Sequence, residues 1–224
     1  VGWRKELTFT GRSYMKLKIT GAGGHGSSPH LANDAIVAGS YFVTQAQTVI
    51  SRRLSPFDVG VITIGSFDGK GQFNIIKESV ELEGDIRCMS TGAQEIVERE
   101  LTNLVKGLEV GFGVKCDFTY YNDYPPLYND PELTERVVQI LEAARDKDER
   151  ITDVKEFPAQ APSEDFSHYT KICPGCYFFI SATPKGVDKP VYNHNPKFDI
   201  DEDALLVAAK AVGYVVMGIG QEEE

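Results

Sequence analysis

Apolar and polar positions follow two different periods along this chain, and the switches between them mark its elements. From Tyr14 to Thr20, the residues Tyr14, Lys16 and Lys18 interleave with Met15, Leu17 and Ile19. A period of two sends successive side chains to opposite faces, so this stretch predicts a half-buried strand. A glycine-rich loop follows, Gly21-Ala22-Gly23-Gly24-His25-Gly26-Ser27-Ser28-Pro29-His30. Asn33 is the expected cap of a helix reaching about Arg53, with Ile36, Val37, Tyr41, Val43, Val49 and Ile50 roughly on one face. Val59 to Phe67 reads as a second strand, ended by the turn signal Asp68-Gly69-Lys70-Gly71. Val80 to Cys88 reads as a third, with Val80, Leu82, Gly84, Ile86 and Cys88 on one side. Thr91 and Gln94 stand at capping-box spacing and open a helix to about Leu108 that stops near Gly111 and Gly113. Val114 to Tyr121 is the fourth strand.

The order strand, helix, strand, strand, helix, strand predicts an α+β ferredoxin-like (βαββαβ) domain over residues 13–121. Its four strands should be antiparallel, with both helices on one face. Asp123-Tyr124-Pro125-Pro126 is the expected break after it. In residues 122–224, Asp130-Pro131 starts a helix carrying Leu133, Val137, Val138, Ile140 and Leu141. The charged run Arg145 to Arg150 follows, then a short strand over Val154 to Phe157. Ser163-Glu164-Asp165-Phe166 should open a short helix, and Cys176 to Ser181 an apolar strand buried on both faces. Asp199 or Asp201 caps a final helix to about Gly218, before the acidic tail Glu222-Glu223-Glu224. Two short strands are too few for an α/β domain, so this segment reads as part of one. Residues 1–12 read as a linker from a part that precedes them, in keeping with a start at Val1 rather than Met.

Composition narrows the class. Hydrophobic residues make up 42% of the 224, enough for a sizeable core. The net charge of -10 disfavours nucleic acid or an anionic membrane as main partner. No unbroken apolar run approaches ~18 residues, so no membrane span is expected. The first residues lack the apolar stretch of a signal peptide. Four cysteines, Cys88, Cys116, Cys173 and Cys176, make no disulfide framework, and the expected location is cytoplasmic. Cys173-Pro174-Gly175-Cys176 is formally a redox or half-zinc spacing. It lacks a second half and does not open a helix after a strand, so a loop entering the apolar run that follows is the simpler reading.

Four residues are candidates for chemistry. His25 lies among glycines that let backbone approach a ligand, and an imidazole there can donate to a developing oxyanion; an ordinary loop histidine is the equal alternative. His194, in Tyr192-Asn193-His194-Asn195-Pro196, sits where loops often present metal ligands, although a lone histidine is more often not one. Asn74 and Arg87 could recognise a carboxylate or be plain turn and strand-edge residues. His30 and His168 join no constellation, and there is no paired-histidine metal motif, catalytic serine triad or phosphate loop.

Six stretches in order resemble the metal-dependent amidohydrolases and peptidases that include aminoacylase, hippurate hydrolase, carboxypeptidase G, succinyl-diaminopimelate desuccinylase and indole-acetyl-amino-acid hydrolase. They are Gly21-Ala22-Gly23-Gly24-His25-Gly26 with Pro29-His30; Phe73-Asn74-Ile75-Ile76 followed by Glu83-Gly84-Asp85-Ile86-Arg87; Tyr124-Pro125-Pro126 with Asn129-Asp130; Ser163-Glu164-Asp165-Phe166; Pro174-Gly175; and His194 through Glu202. The resemblance implies a dimerising ferredoxin-like lid and the C-terminal part of an α/β catalytic domain. It implies that His25 stabilises the oxyanion in the partner subunit's site, that Asn74 and Arg87 bind the substrate's carboxylate end, and that His194 is a metal ligand; Glu164 falls near the site with no role assigned. The implied reaction is hydrolysis of N-acyl-amino acids or small peptides by water activated on zinc, manganese or cobalt, in a homodimer. The family's other metal ligands and its catalytic Glu-Glu pair precede the lid and have no counterpart here, so the chain by itself is expected to be an inactive part of the enzyme. The competing reading is a non-catalytic ferredoxin-like module that dimerises or binds a small ligand.

Overall fold

The computed structural model describes residues 1–221, and the acidic tail Glu222-Glu223-Glu224 lies outside the described residues. In chain order the elements are β1 Gly2–Trp3, β2 Glu6–Phe9, β3 Gly11–Thr20, β4 Gly24–His25, α1 Ala35–Arg53, β5 Gly60–Asp68, β6 Ile75–Ile76 and β7 Ser79–Cys88. They continue with α2 Thr91–Phe112, β8 Lys115–Tyr124, β9 Leu127–Asn129, α3 Pro131–Arg145, β10 Lys155–Glu156, α4 Ser167–Thr170 and α5 Asp203–Gln221. The chain forms two compact units. One comprises residues 9–127 and 161–167, the other residues 1–8, 128–160 and 168–224.

The first unit is built on a four-stranded sheet in the order β5-β7-β3-β8, every neighbouring pair antiparallel. The alternation read from the sequence sets the register: Leu17 stands opposite Leu82 on one side and Phe118 on the other. A one-residue slip would turn every such side chain to the wrong face. Met15, Leu17, Ile19, Leu82 and Ile86 are fully buried on the face that α1 and α2 cover. Each such side chain contributes about 1.5–3 kcal/mol by leaving water. On the opposite face Lys16 and Lys18 pair with Glu81 and Glu83. The register of edge strand β5 slips between Ile64 and Ser66, a bulge that leaves Gly65 unpaired.

Several local expectations need correction. Asp34, not Asn33, caps α1, its carboxylate accepting from the backbone N–H of Ile36 and Val37. The Asn33 amide donates instead to the Gly113 carbonyl at 2.7 Å, at the left-handed residue (φ 63°) that ends α2. The face of α1 against the sheet is Ala35, Ala38, Gly39, Phe42, Ala46 and Val49, while Ile36, Val37 and Tyr41 are 39%, 41% and 52% exposed. Small residues let the helix approach closely, and size is a poor guide to which face is inside. Ser90, not Thr91, caps α2. Gln94 makes no capping box; it is buried, and its amide donates to the Tyr124 carbonyl (3.1 Å) and the Ser13 hydroxyl (3.4 Å). The expected break at Asp123-Tyr124 is part of β8, and the strand ends before Pro125.

In the second unit α3 packs on α5 around Val137, Leu141 and Ala211. Asp130 caps α3, accepting from Leu133 N–H at 2.8 Å, with Pro131 at the first turn. The strand expected over Val154 to Phe157 shortens to β10, parallel to β1. The apolar run after Cys176 is not a strand. Phe179 exchanges a backbone bridge with Gly2 (2.8 and 2.7 Å), and the buried side chain of Asn129 bonds both the N–H (2.7 Å) and carbonyl (2.8 Å) of Tyr177. The short helix begins at Ser167, not Ser163. Asp201 rather than Asp199 serves the last helix, accepting from Asp203 N–H at 3.0 Å. By length and composition alone α5 would pass as a membrane span, a test that the core helix of a soluble protein passes as well. Lys210 is committed within the unit, donating to the buried carboxylate of Asp148.

That ion pair gives a pH dependence. The hydrogen bond from Lys210, joined by the backbone N–H of Arg150, holds the Asp148 carboxyl below its usual range. A depressed folded-state pKa contributes stability above the unfolded value, near 3.8, that is lost as pH falls through the lower folded value. Asp148→Asn should therefore melt below wild type at pH 7, and the two melting temperatures should converge as pH falls through the lowered folded value. Thermal melts across that range check it; a constant gap would assign the loss to packing.

Candidate functional site

Beyond Thr20 and Ser79 the β3–β7 ladder continues irregularly and holds the glycine-rich loop. Gly21 N–H donates to the Glu78 carbonyl at 2.7 Å, Gly24 and His25 of β4 pair with Ile76 and Ile75 of β6, and Gly26 N–H donates to the Asn74 carbonyl at 2.8 Å. A Cβ on Gly21 would lie 2.0 Å from the Asn33 carbonyl oxygen, so only glycine allows the chain to pass. His25 and Asn74 are thus neighbours at one end of the sheet, and both are exposed. Ser27 approaches His25 Nδ1 twice, through its hydroxyl at 2.7 Å and its backbone N–H at 3.2 Å. A backbone N–H can only donate, so Nδ1 accepts. The proton of the neutral ring then sits on Nε2, where it can be donated outward. An open depression of about 790 Å³ lies here, lined by Gly24, His25, Gly71, Ile76, Lys77 and Glu78 among others.

Arg87 belongs to the other end of the same sheet. It stands opposite Arg12 on β3, whereas Ser79, at the start of β7, stands opposite Thr20. Eight residues of strand separate Arg87 from Ser79, roughly 26 Å at 3.3 Å per residue, and Asn74 and His25 lie beyond Ser79. The half-buried Arg87 side chain is held from two directions. Its Nε donates to Asp85 at 2.7 Å and its Nη1 to the Ser163 hydroxyl at 3.0 Å. Asp85 also accepts from Arg12 at 3.1 Å, and Arg12 reaches Asp123 at 3.3 Å. Two of five guanidinium donors are therefore committed, and the remainder can engage a carboxylate. Sequence spacing paired Asn74 with Arg87 and gave no sign of Arg12, while Asp85 and Ser163 stood in the matching stretches with no role assigned; the pairing with β3 brings in Arg12 and the return of residues 161–167 brings in Ser163. Glu164 lies on that returning segment, its carbonyl accepting from Ser167 N–H at 3.2 Å.

His194 is in the second unit, exposed, with a left-handed backbone (φ 66°). Such a conformation costs a non-glycine residue of order 1–3 kcal/mol and clusters at functional positions, although Glu6 (φ 61°) shares it with no role assigned. Asn195 beside it folds a tight turn, its side chain accepting from Lys197 N–H at 2.9 Å. Among the described residues no group of three or more His, Cys, Asp or Glu could hold a metal ion. A zinc site takes three or four protein ligands, so the described residues do not form one by themselves. The thiols are all free; burial pushes Cys88 up to about 11 and raises Cys176, which makes the latter a poor nucleophile for redox exchange at neutral pH.

The family model of peptidase family M20/M25/M40 matches residues 17–218. The chain belongs to this family. It is 37% identical over 215 residues to an N-acetyldiaminopimelate deacetylase of Bacillus velezensis, covering 96% of this chain and 55% of that protein. A second N-acetyldiaminopimelate deacetylase, from Brevibacillus brevis, is 36% identical over 223 residues, covering 100% of this chain and 57% of the relative. Among solved structures, a candidate aminohydrolase of methicillin-resistant Staphylococcus aureus superimposes with a TM-score of 0.84 at 52% identity, covering 96% of this chain and 54% of that one. Bacillus subtilis YxeP, a dinuclear metal-binding peptidase of the family, shares the fold with a TM-score of 0.69 at 20% identity, over 96% of this chain and 51% of its own. The chain thus spans little more than half the length of its relatives.

Proposed function

We propose that this chain is the lid and the C-terminal catalytic segment of a metal-dependent amidohydrolase that cleaves N-acyl-amino acids, with N-acetylated diaminopimelate as the favoured substrate class. The deacetylase relatives support the substrate class. The lid is the unit built on β5-β7-β3-β8, whose strand order and paired helices fit a ferredoxin-like domain. The observation that carries the reading is the placement of His25 and Asn74 at one end of this sheet and Arg87 at the other. Two residues of extended chain span only roughly 7 Å, so no small substrate reaches both ends of one lid. Two copies related by a two-fold axis bring the His25 end of one lid to the Arg87 end of the other. Edge strand β5 and the exposed Val37 and Tyr41 of α1 are the surface we assign to that homodimer.

In this arrangement Arg87 binds the substrate's α-carboxylate through the donors left by Asp85 and Ser163. Asn74 and His25 of the other copy flank the amide, and His25 Nε2–H donates to the oxyanion that forms when water adds to the amide carbon. His194 supplies one ligand to a divalent ion (zinc, manganese or cobalt) whose remaining ligands come from outside this chain. That ion, when bound, supplies activated water. The free thiols fit a cytoplasmic setting.

The full-length protein loaded with each metal in turn should release acetate from mono-N-acetyl-diaminopimelate, and a chelator should stop it. Absence of turnover with all three metals would refute the reading. The 224-residue chain assayed alone is expected to show no turnover, since its described residues assemble no three-ligand group. Hydrolysis by the isolated chain that His194→Ala abolishes would show a metal site within it.

A further inference from the structure

The depression beside His25 contains a cation that the reading above does not use. Lys77 follows β6 directly and lines the same wall as His25. Its stem runs past Gly71, where a Cβ would meet Lys77 Cδ at 3.5 Å. The side chain is half-buried. Lys16 and Lys18 on the same sheet are each bound by glutamates, but no ion pair or hydrogen bond engages the Lys77 ammonium among the described residues. Glu78, next to it, lines the same depression and is likewise unpaired there. Two opposite charges side by side that do not satisfy each other can receive a ligand carrying both signs. Glu78 weighs against a phosphate or other dianion, whose repulsion from its carboxylate would offset the attraction of Lys77.

We infer that Lys77 is a specificity-determining residue that binds a second carboxylate on the substrate, at the end remote from the scissile amide, with Glu78 facing the ammonium on the same carbon. The inference rests on the amidohydrolase reading and adds to it the reason a diamino-dicarboxylate is preferred over a simple N-acyl-amino acid. Arg87 and Lys77 then hold the two carboxylates from two copies of the lid, and the amide lies between them beside His25.

Mono-N-acetyl-diaminopimelate and Nα-acetyl-lysine differ by the remote carboxylate alone. The test is the ratio of kcat/KM for these two compounds in the full-length, metal-loaded enzyme. Lys77→Met should lower that ratio about tenfold through KM, as loss of a charge-assisted hydrogen bond predicts. Lys77→Glu should lower it further, and Lys77→Arg should restore most of it. A purely structural role would depress both compounds together. An unchanged ratio in Lys77→Met, with wild-type turnover intact, overturns the inference and leaves the amidohydrolase reading standing. If the wild type hydrolyses neither compound, the amidohydrolase reading fails and this inference fails with it.

Discussion

Replacing His25 by alanine in the full-length protein is expected to lower turnover about 10²–10³-fold, the usual effect of deleting one oxyanion donor, while bound metal stays at the wild-type level. On the proposed oxyanion role, the local geometry accounts for so large an effect from an exposed side chain. The ring is oriented by two contacts from Ser27 to Nδ1, which commits Nε2–H to the outward direction. The loop that carries it is fixed by the Gly21, Gly24 and Gly26 pairings. The donor is therefore in place before substrate arrives and needs little reorganisation. His194→Ala is the matched comparison: it should lower both turnover and metal content, because an imidazole ligand is lost. Metal analysis beside steady-state kinetics separates the two. Metal lost from His25→Ala, or retained in full by His194→Ala, would overturn the respective assignment.

The parts of this molecule that were legible in the sequence are those governed by a period. In β7 every second residue from Val80 to Cys88 is buried, and the alternation read from the sequence reproduces that strand and its inward face. Where packing follows size or backbone geometry instead, the pattern misleads. The inner face of α1 is alanine, glycine and one phenylalanine, so its large residues point outward although they form the obvious apolar stripe. Both helices that cover the four-stranded sheet are capped one residue from the expected position, because Asn33 is drawn to Gly113 and Gln94 into the buried network with Ser13 and Tyr124. The run Tyr177-Phe178-Phe179-Ile180 has strand composition, but its backbone is met by Gly2 and an asparagine side chain rather than a ladder.

The candidate site divides in the same way. Glycine context marked His25, and its neighbour Asn74 is brought to it by the short β4–β6 pairing. Only the register of a ten-residue strand shows that Arg87 lies at the opposite end. Of the groups that orient Arg87, Asp85 lies two residues away on the same strand, whereas Ser163, and Arg12 acting through Asp85, come from stretches that no local spacing connects to it. Lys77 carried no signal at all, since a single lysine after an apolar pair is ordinary until the depression around it is seen.

The separation of the two ends predicts a complementation between two defective proteins. Arg87→Ala should reduce kcat/KM about 10–100-fold, because a carboxylate loses its charge-assisted bonds, and should act mainly through KM. His25→Ala acts mainly through kcat. If each site takes Arg87 from one copy and His25 from the other, a dimer of one His25→Ala chain and one Arg87→Ala chain contains one site with both residues intact and one with neither. Mixing the two full-length variants in equal amounts and allowing subunits to exchange makes half of the dimers mixed, so about a quarter of wild-type activity should return at substrate concentrations well below KM. If one copy supplied both residues, each chain would carry its own defect into every site and nothing would return. Mass spectrometry of differently tagged variants establishes that mixed dimers are present. Mixed dimers with no gain in rate would overturn the two-copy site, whereas a gain that rises with the mixed fraction follows from the roughly 26 Å of β7 that keeps Arg87 from the His25 end of its own sheet.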